Sequence, residues 1–383
     1  MLFQQILILL ACVWLVGRIF DKLKWPPLFG EILAGIIVGP MILGMVEDTE
    51  AIRVLAEFGI FFLMLHAGLE MNPKQLYKAS HRSVVVAAGG VMIPFLSGWW
   101  VSRAFGYELF ESLFIGVGLS ITAIAVTARL FKDYNITNSN IAHVTMGAAV
   151  IDDILGLLLF SIVLNIVDFG MIDITQISIL TAKIVLFFLF VLFLGQKCSG
   201  KLNKIIFKGN KGFTFTIIIG LLFGVIAELI GLHVIIGAFL AGLFIREEVI
   251  EPGLYEKIED RIYGLSYSFL GPIFFASLAF HLDFSALKTA ALFTIAITLV
   301  AIIGKILGAG ICAFKCKMTK IESLGVGLAM NSRGAVELII ASIGLQKGII
   351  SSEIFSILVI MAFATTLVSI IGLKPISNYV KSK

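Results

Sequence analysis

Charge is scarce in this chain: Asp, Glu, Lys and Arg make up 14% of its 383 residues, against 59% for apolar side chains. That balance excludes a soluble domain, because a chain of this length in water needs far more polar surface. Cysteine is scarce too, with four in all. Cys312 and Cys316 form a lone pair at an apolar helix end, a pattern that predicts packing rather than a metal site. Absent altogether are a Gly-Lys-Ser/Thr phosphate loop, a nucleophile elbow and paired Cys/His metal spacing, so no enzyme and no cofactor is indicated. Long polar stretches are also lacking. The longest, around 197–211 and 247–262, are loop-sized, and the expectation is a single membrane domain over 1–383 with no cytosolic domain.

What is present is a succession of apolar runs, and the mean hydropathy is +1.04. A helix of roughly 20 apolar residues crosses a hydrocarbon layer about 30 Å thick. Thirteen candidate spans follow: about 2–20, 26–46, 52–71, 82–104, 109–131, 139–166, 174–196, 212–231, 233–247, 263–282, 288–314, 321–345 and 352–373. The first lacks the basic start and the A-x-A-like site of a cleaved signal peptide. The predicted fold class is therefore an all-α polytopic membrane protein with about 13 transmembrane helices. The stretch "REEVIEPGLYEKIEDRIYG" reads as an amphipathic helix along the inner surface.

Lys and Arg set the orientation, because basic loops resist translocation. Lys22, Lys78, Lys132, Lys204, Lys317 and Lys381 fall on one side under a single threading, with most of the 29 basic residues. This predicts the N-terminus outside and the C-terminus inside, most simply in a prokaryotic plasma membrane. The net charge of +4 is then a matter of topology and no sign of a nucleic-acid partner.

The chain also repeats itself. "ESLFIGVGLS" (Glu111–Ser120) returns as "ESLGVGLAMN" (Glu322–Asn331), and "FGIFFLMLHAGLEMN" (Phe58–Asn72) returns as "GPIFFASLAFHLDFS" (Gly271–Ser285). Each match is displaced by seven spans, and an odd displacement reverses direction across the membrane. Two inverted six-helix repeats, about 1–168 and about 212–375, with a connector helix at about 174–196, account for this. Spans 5 and 12 are interrupted at matching places by glycine and polar residues: Gly116, Gly118, Ser120, Thr122 and Thr127 in one, Asn331, Ser332, Arg333 and Gly334 in the other. Both are expected to unwind in mid-membrane, exposing backbone ends that attract ions.

Span 6 carries the sharpest anomaly. "MGAAVIDDILGLLLFSIV" (Met146–Val163) places Asp152 and Asp153 side by side in an otherwise apolar run. Each central Asp costs about 2.5–3.5 kcal/mol on an insertion scale, so residues this expensive are usually functional and partnered. Neighbours on a helix point about 100° apart, so one carboxylate can pair while the other faces a cavity. Lys305 in "IIGKILGAG" is the available counter-charge, and Arg333 and Glu337, four apart, can pair with each other. Glu31 and Glu228 read as buried structural carboxylates, His66 and His143 as packed or near an interface, His233 as part of a short outer turn, and Lys183 as snorkelling.

Together "AAVIDDILGLLLF", "IIGKILGAG", "SITAIAVTARL", "GEILAGIIVGP" and "MNSRGAVELIIASIGL" resemble the paired-aspartate branch of the monovalent cation:proton antiporter superfamily, which includes Na+/H+ antiporters. The resemblance spans essentially the whole chain. It implies that Asp153 binds a cation, Na+ or Li+, and a proton in turn, and that Asp152 pairs with Lys305 and releases it when the cation arrives. It implies further that Thr122 and nearby backbone adjoin the ion, and that Arg333, Glu337, Asn331 and Ser332 support the broken helices. It also implies a homodimer, with spans 4–6 and 11–13 moving against the rest, and electrogenic exchange, since both the first aspartate and the lysine are kept. One departure stands out: relatives often carry Arg-Gly-Glu where this chain has Arg333-Gly334-Ala335-Val336-Glu337. The residues leave open a K+/H+ antiporter or K+ efflux transporter and, in another class, a channel or a non-transporting sensor.

Overall fold

The computed structural model describes residues 2–23, 25–71, 81–170, 174–206, 212–245 and 252–381. Among the described residues the ordered elements are all helical. Nine helices or continuous helical runs among the described residues are long and apolar enough to cross a membrane, and further apolar helices are shorter. Helix α1 (Leu2–Leu23) shows why the surroundings must be hydrocarbon: Leu9, Val13, Val16 and Phe20 form one buried stripe, yet Phe3, Leu7, Trp14, Leu15 and Ile19 on the outside are apolar as well.

The helices gather into two compact units. One comprises residues 1–72 and 173–281 and the other residues 73–172 and 282–383. The first unit contains α1, α2 (Pro27–Val38), α3 (Glu50–Glu70), α8 (Ile174–Ile206), α9 (Gly212–Leu229), α10 (Val234–Phe244), α11 (Pro252–Leu265) and α12 (Gly271–Leu278). Helix α10 is apolar on every side and buried from Ile235 to Phe244, as an all-round hydrophobic helix must be. It packs on α3 by bringing Gly68 against the Phe239 carbonyl and Gly242 against the Leu65 carbonyl, contacts that a β-carbon would block.

The expected amphipathic helix is present from Pro252 and runs on into the next span. From Pro252 the chain is helical through α11, a π-helical turn at Ser266–Leu270, α12 and a short 3-10 turn to His281, as one continuous rod. Ile258 and Ile262 are buried, and the Tyr255 hydroxyl donates to the Leu69 carbonyl, so these apolar residues of α11 are covered by protein. Residues 246–251 lie outside the described residues.

The second unit contains α4 (His81–Ala104), α5 (Leu109–Ser120), α6 (Ile124–Asp133), α7 (Asn140–Phe169), α13 (Ala286–Thr289), α14 (Ala291–Lys315), α15 (Lys320–Ala329), α16 (Ala335–Gln346) and α17 (Ser352–Lys381). Spans 5 and 12 are both interrupted, at residues 121–123 and 330–334. The repeated "ESL" has a local purpose: Glu111 and Glu322 each reach back to accept from a backbone N–H at the start of their helix, Glu108 at 3.2 Å and Thr319 at 2.9 Å. Ser139 caps α7, which ends at Gly170 in a left-handed conformation. Helix α14 is held against α4 where Gly89 and Gly308 meet backbone to backbone, which fixes the height of Lys305.

Candidate functional site

The second unit concentrates its buried charge at the crossing of the two broken helices. Asp152, in the middle of α7, is fully buried. Its Oδ1 accepts from Lys305 Nζ at 2.9 Å, and its Oδ2 accepts from the Thr122 backbone N–H at 2.8 Å, in the gap between α5 and α6. The Thr122 donor is one that a continuous helix would have spent on its own ladder. Lys305 is also fully buried, and it donates to the Ser120 carbonyl at the end of α5. Asp153, the next residue, is only partly buried, the exposure difference expected of helical neighbours about 100° apart.

Arg333 comes from the other gap and is, among the described residues, the largest fully buried side chain. Its guanidinium donates to the carbonyls of Gly118 at 2.8 Å and Ile121 at 2.7 Å, and to that of Leu119. These are the acceptors left over at the C-terminus of α5, where the helix dipole is negative. The Arg333 backbone is itself held by Thr366, whose hydroxyl accepts from the Arg333 N–H at 2.9 Å and donates to the Arg333 carbonyl at 3.2 Å. Glu337, in the first turn of α16, lies 3.7 Å from Arg333 Nε, and both its buried oxygens lack a hydrogen-bond partner.

The two gaps are also tied directly. The Ala123 N–H donates to the Ser332 carbonyl at 2.8 Å, the Thr122 hydroxyl donates to the Met330 carbonyl at 3.0 Å, and the Thr127 and Ser332 hydroxyls lie 2.6 Å apart. Asn331 Nδ2 donates to the Thr365 carbonyl at 3.2 Å, while its Oδ1 is buried without a hydrogen-bond partner.

Asp152 is thus in direct contact with Lys305 and Thr122, and Arg333 with Glu337, while Ser332 bonds across to Ala123 and Thr127 of the first gap; Asp153 is adjacent to Asp152 in sequence. Thr366 was missed. A Thr365–Thr366 pair in an apolar last span was the available signal. Glu228, expected to be buried, is exposed in the last turn of α9, and His143 is exposed too. His233 Nδ1 caps α10 by accepting from the Ile235 N–H at 3.4 Å, and Lys183 donates to the Ile230 carbonyl at 3.3 Å. The carboxylates, backbone ends and hydroxyls beside the two buried cations, Lys305 and Arg333, are oxygen groups, the ligand type that small hard cations prefer.

Comparison with known proteins gives the same direction. A family model described as "Sodium/hydrogen exchanger, transmembrane" matches residues 6–379. A probable Na+/H+ antiporter, GerT, of Bacillus cereus is 31% identical over 93% of this chain and 94% of its own length. A Na+/H+ antiporter of Enterococcus hirae is 31% identical over 97% of both chains. GerN of Bacillus cereus, named as a Na+/H+-K+ antiporter, is 28% identical over 96% of this chain and 94% of its own. Among solved structures, the sodium proton antiporter MjNhaP1 of Methanocaldococcus jannaschii superposes with a TM-score of 0.73 at 18% identity, covering 98% of this chain and 97% of that one, a likeness of fold.

Proposed function

This chain belongs to the sodium/hydrogen exchanger family of monovalent cation:proton antiporters, multi-pass membrane proteins, and we propose that it exchanges Na+ or Li+ for H+ electrogenically, with Asp153 holding cation and proton in turn. One observation carries the reading. Both oxygens of Asp152 are engaged by Lys305 and Thr122 in a sealed setting, while the next carboxylate, Asp153, is the more accessible of the two. Competition between one cation and one proton for a carboxylate suffices for exchange, provided that the site opens to one side at a time. An empty charged site crosses an apolar barrier poorly, and a filled one crosses more readily.

A one-for-one swap on Asp153 moves no net charge. Electrogenic exchange needs a second proton-carrying group, and Lys305, freed from Asp152 as the cation arrives, is placed to be that group. Arg333, Glu337, Asn331 and Ser332 hold the gaps open as fixed structure. Two inverted repeats, a homodimer, and a plasma-membrane topology with the N-terminus outside complete the proposal. The second unit, which carries the site, is taken as the moving part. A K+-coupled variant is the second reading, favoured by the name of GerN.

The test is proton flux in proteoliposomes with an imposed pH gradient, challenged with Na+, Li+ or K+ at several membrane potentials. Collapse of the gradient by Na+ or Li+, a rate that follows the potential, and silence in Asp153→Asn are expected. A response to K+ alone makes the second reading the right one, and no response to any cation ends both.

A further inference from the structure

The first unit contains a buried titratable group for which the exchange site has no use. His66, on α3, is 0% exposed, and a carboxylate faces each of its ring nitrogens. Nε2 lies within hydrogen-bond reach of Glu259 on α11, at 3.2 Å, whereas Nδ1, which has no hydrogen-bond partner, lies at an ion-pair distance of 3.6 Å from Glu70, one turn further along α3. The rings of Tyr263 and Tyr267 close over the imidazole at 5.4 and 5.2 Å between centroids. Among the described residues, the other elements packed on α3 bring little further charge. Helices α10 and α12 have no ionisable side chain, and Glu31 on α2 acts on Tyr267. Glu256, Lys257, Asp260 and Arg261 of α11 are exposed.

Donor counting gives the consequence. A neutral imidazole has one N–H and one lone pair, so with a carboxylate on each side one carboxylate faces a lone pair; an imidazolium donates to Glu259 and turns its second N–H, as a positive charge, toward Glu70. The carboxylates sit on opposite ring nitrogens, which is the wrong arrangement for a single metal ion held by all three. Both carboxylates are partly exposed, 51% for Glu70 and 32% for Glu259, so a proton can reach the sealed ring through them. We propose that His66, Glu70 and Glu259 form a second proton site, separate from the paired aspartates, that latches α11 to α3 when His66 is protonated and loosens this junction when it is not. The junction has a natural point of yielding: the π-helical turn at Ser266–Leu270 starts next to it, fastened to α3 by the Ser266 hydroxyl donating to the Phe62 carbonyl at 2.9 Å. The proposal does not rest on the exchange reading.

Hydrogen–deuterium exchange of the full chain in detergent micelles, corrected for the intrinsic effect of pH, tests it. Protection of peptides from residues 252–265 is expected to fall about tenfold from about pH 5 to about pH 8, one charge-assisted bond across the range in which imidazole changes charge. His66→Gln is expected to abolish that pH response, and Glu259→Gln to do the same, which decides the matter if the first variant fails to fold. Asp153→Asn is expected to retain the response while losing exchange, so failure of one reading is separable from failure of the other. Wild-type protection that is flat or rises with pH, or a His66→Gln protein that follows the wild-type profile, overturns the latch.

Discussion

Lys305 and Asp152 meet at 2.9 Å with neither side chain reached by solvent. Removing one partner of such a pair strands the other, which typically costs about 3–5 kcal/mol. Replacing both with neutral groups of similar volume is far cheaper. Lys305→Met alone is therefore expected to lower the thermal midpoint sharply, and Asp152→Asn with Lys305→Met to recover most of it. Exchange by the double variant is expected to lose its dependence on membrane potential. A double variant as unstable as the single one, or one that stays potential-driven, contradicts this account of the pair.

Proton and cation in competition leave a signature in kinetics. Where the empty site is mostly protonated, each unit of added acidity is expected to raise the apparent KM for Na+ about tenfold if one proton leaves and about a hundredfold if two leave. The proposed role of Lys305 requires the steeper slope, and Lys305→Met is expected to give the shallower one. Initial rates over a pH series in proteoliposomes supply the slope. A KM indifferent to pH rules out a shared carboxylate.

Much of this site was legible because insertion into hydrocarbon makes charge conspicuous. Asp152, Lys305 and Arg333 stand out in apolar runs, and glycine with polar residues at matching places in two spans predicted gaps that are observed at residues 121–123 and 330–334. The target of Arg333 was not legible. The ion pair with its sequence neighbour Glu337 is present at 3.7 Å, but the hydrogen bonds of Arg333 go to carbonyls of α5 more than 200 residues away, and a carbonyl has no sequence signature. The helix at 252–265 was legible but the partner of its apolar face was not: an amphipathic helix looks alike whatever its apolar face meets, and here Ile258 and Ile262 are buried and Tyr255 bonds to α3.

Arg333 substitutes for the hydrogen bonds that the end of α5 lacks. Arg333→Lys keeps the charge but loses the planar fork that reaches three carbonyls at once. It is expected to lower stability by about 1–3 kcal/mol through acceptors left unsatisfied. Arg333→Ala is expected to cost more, about 3–5 kcal/mol, because Glu337 is stranded as well, and adding Glu337→Gln is expected to return part of that loss. Thermal unfolding of purified protein measures all three. If Arg333→Lys is as stable as wild type, the carbonyl contacts do not matter.

The Thr122 side chain separates an ion ligand from a strut. Its hydroxyl proton is committed to the Met330 carbonyl, which leaves the oxygen lone pairs available to a cation, and its backbone N–H is already spent on Asp152. Thr122→Val keeps the shape and the backbone donor but removes the oxygen. The expected result is an apparent KM for Na+ raised about tenfold, one lost ligand of roughly 1.4 kcal/mol, with Thr122→Ser close to wild type. The loss of the Met330 bond alone lowers stability by about 1 kcal/mol and leaves KM untouched. KM and thermal midpoint measured on the same preparations therefore tell the two roles apart. An unchanged KM beside a lowered midpoint would make Thr122 a strut between the two gaps and confine the ion to Asp153 and other oxygens.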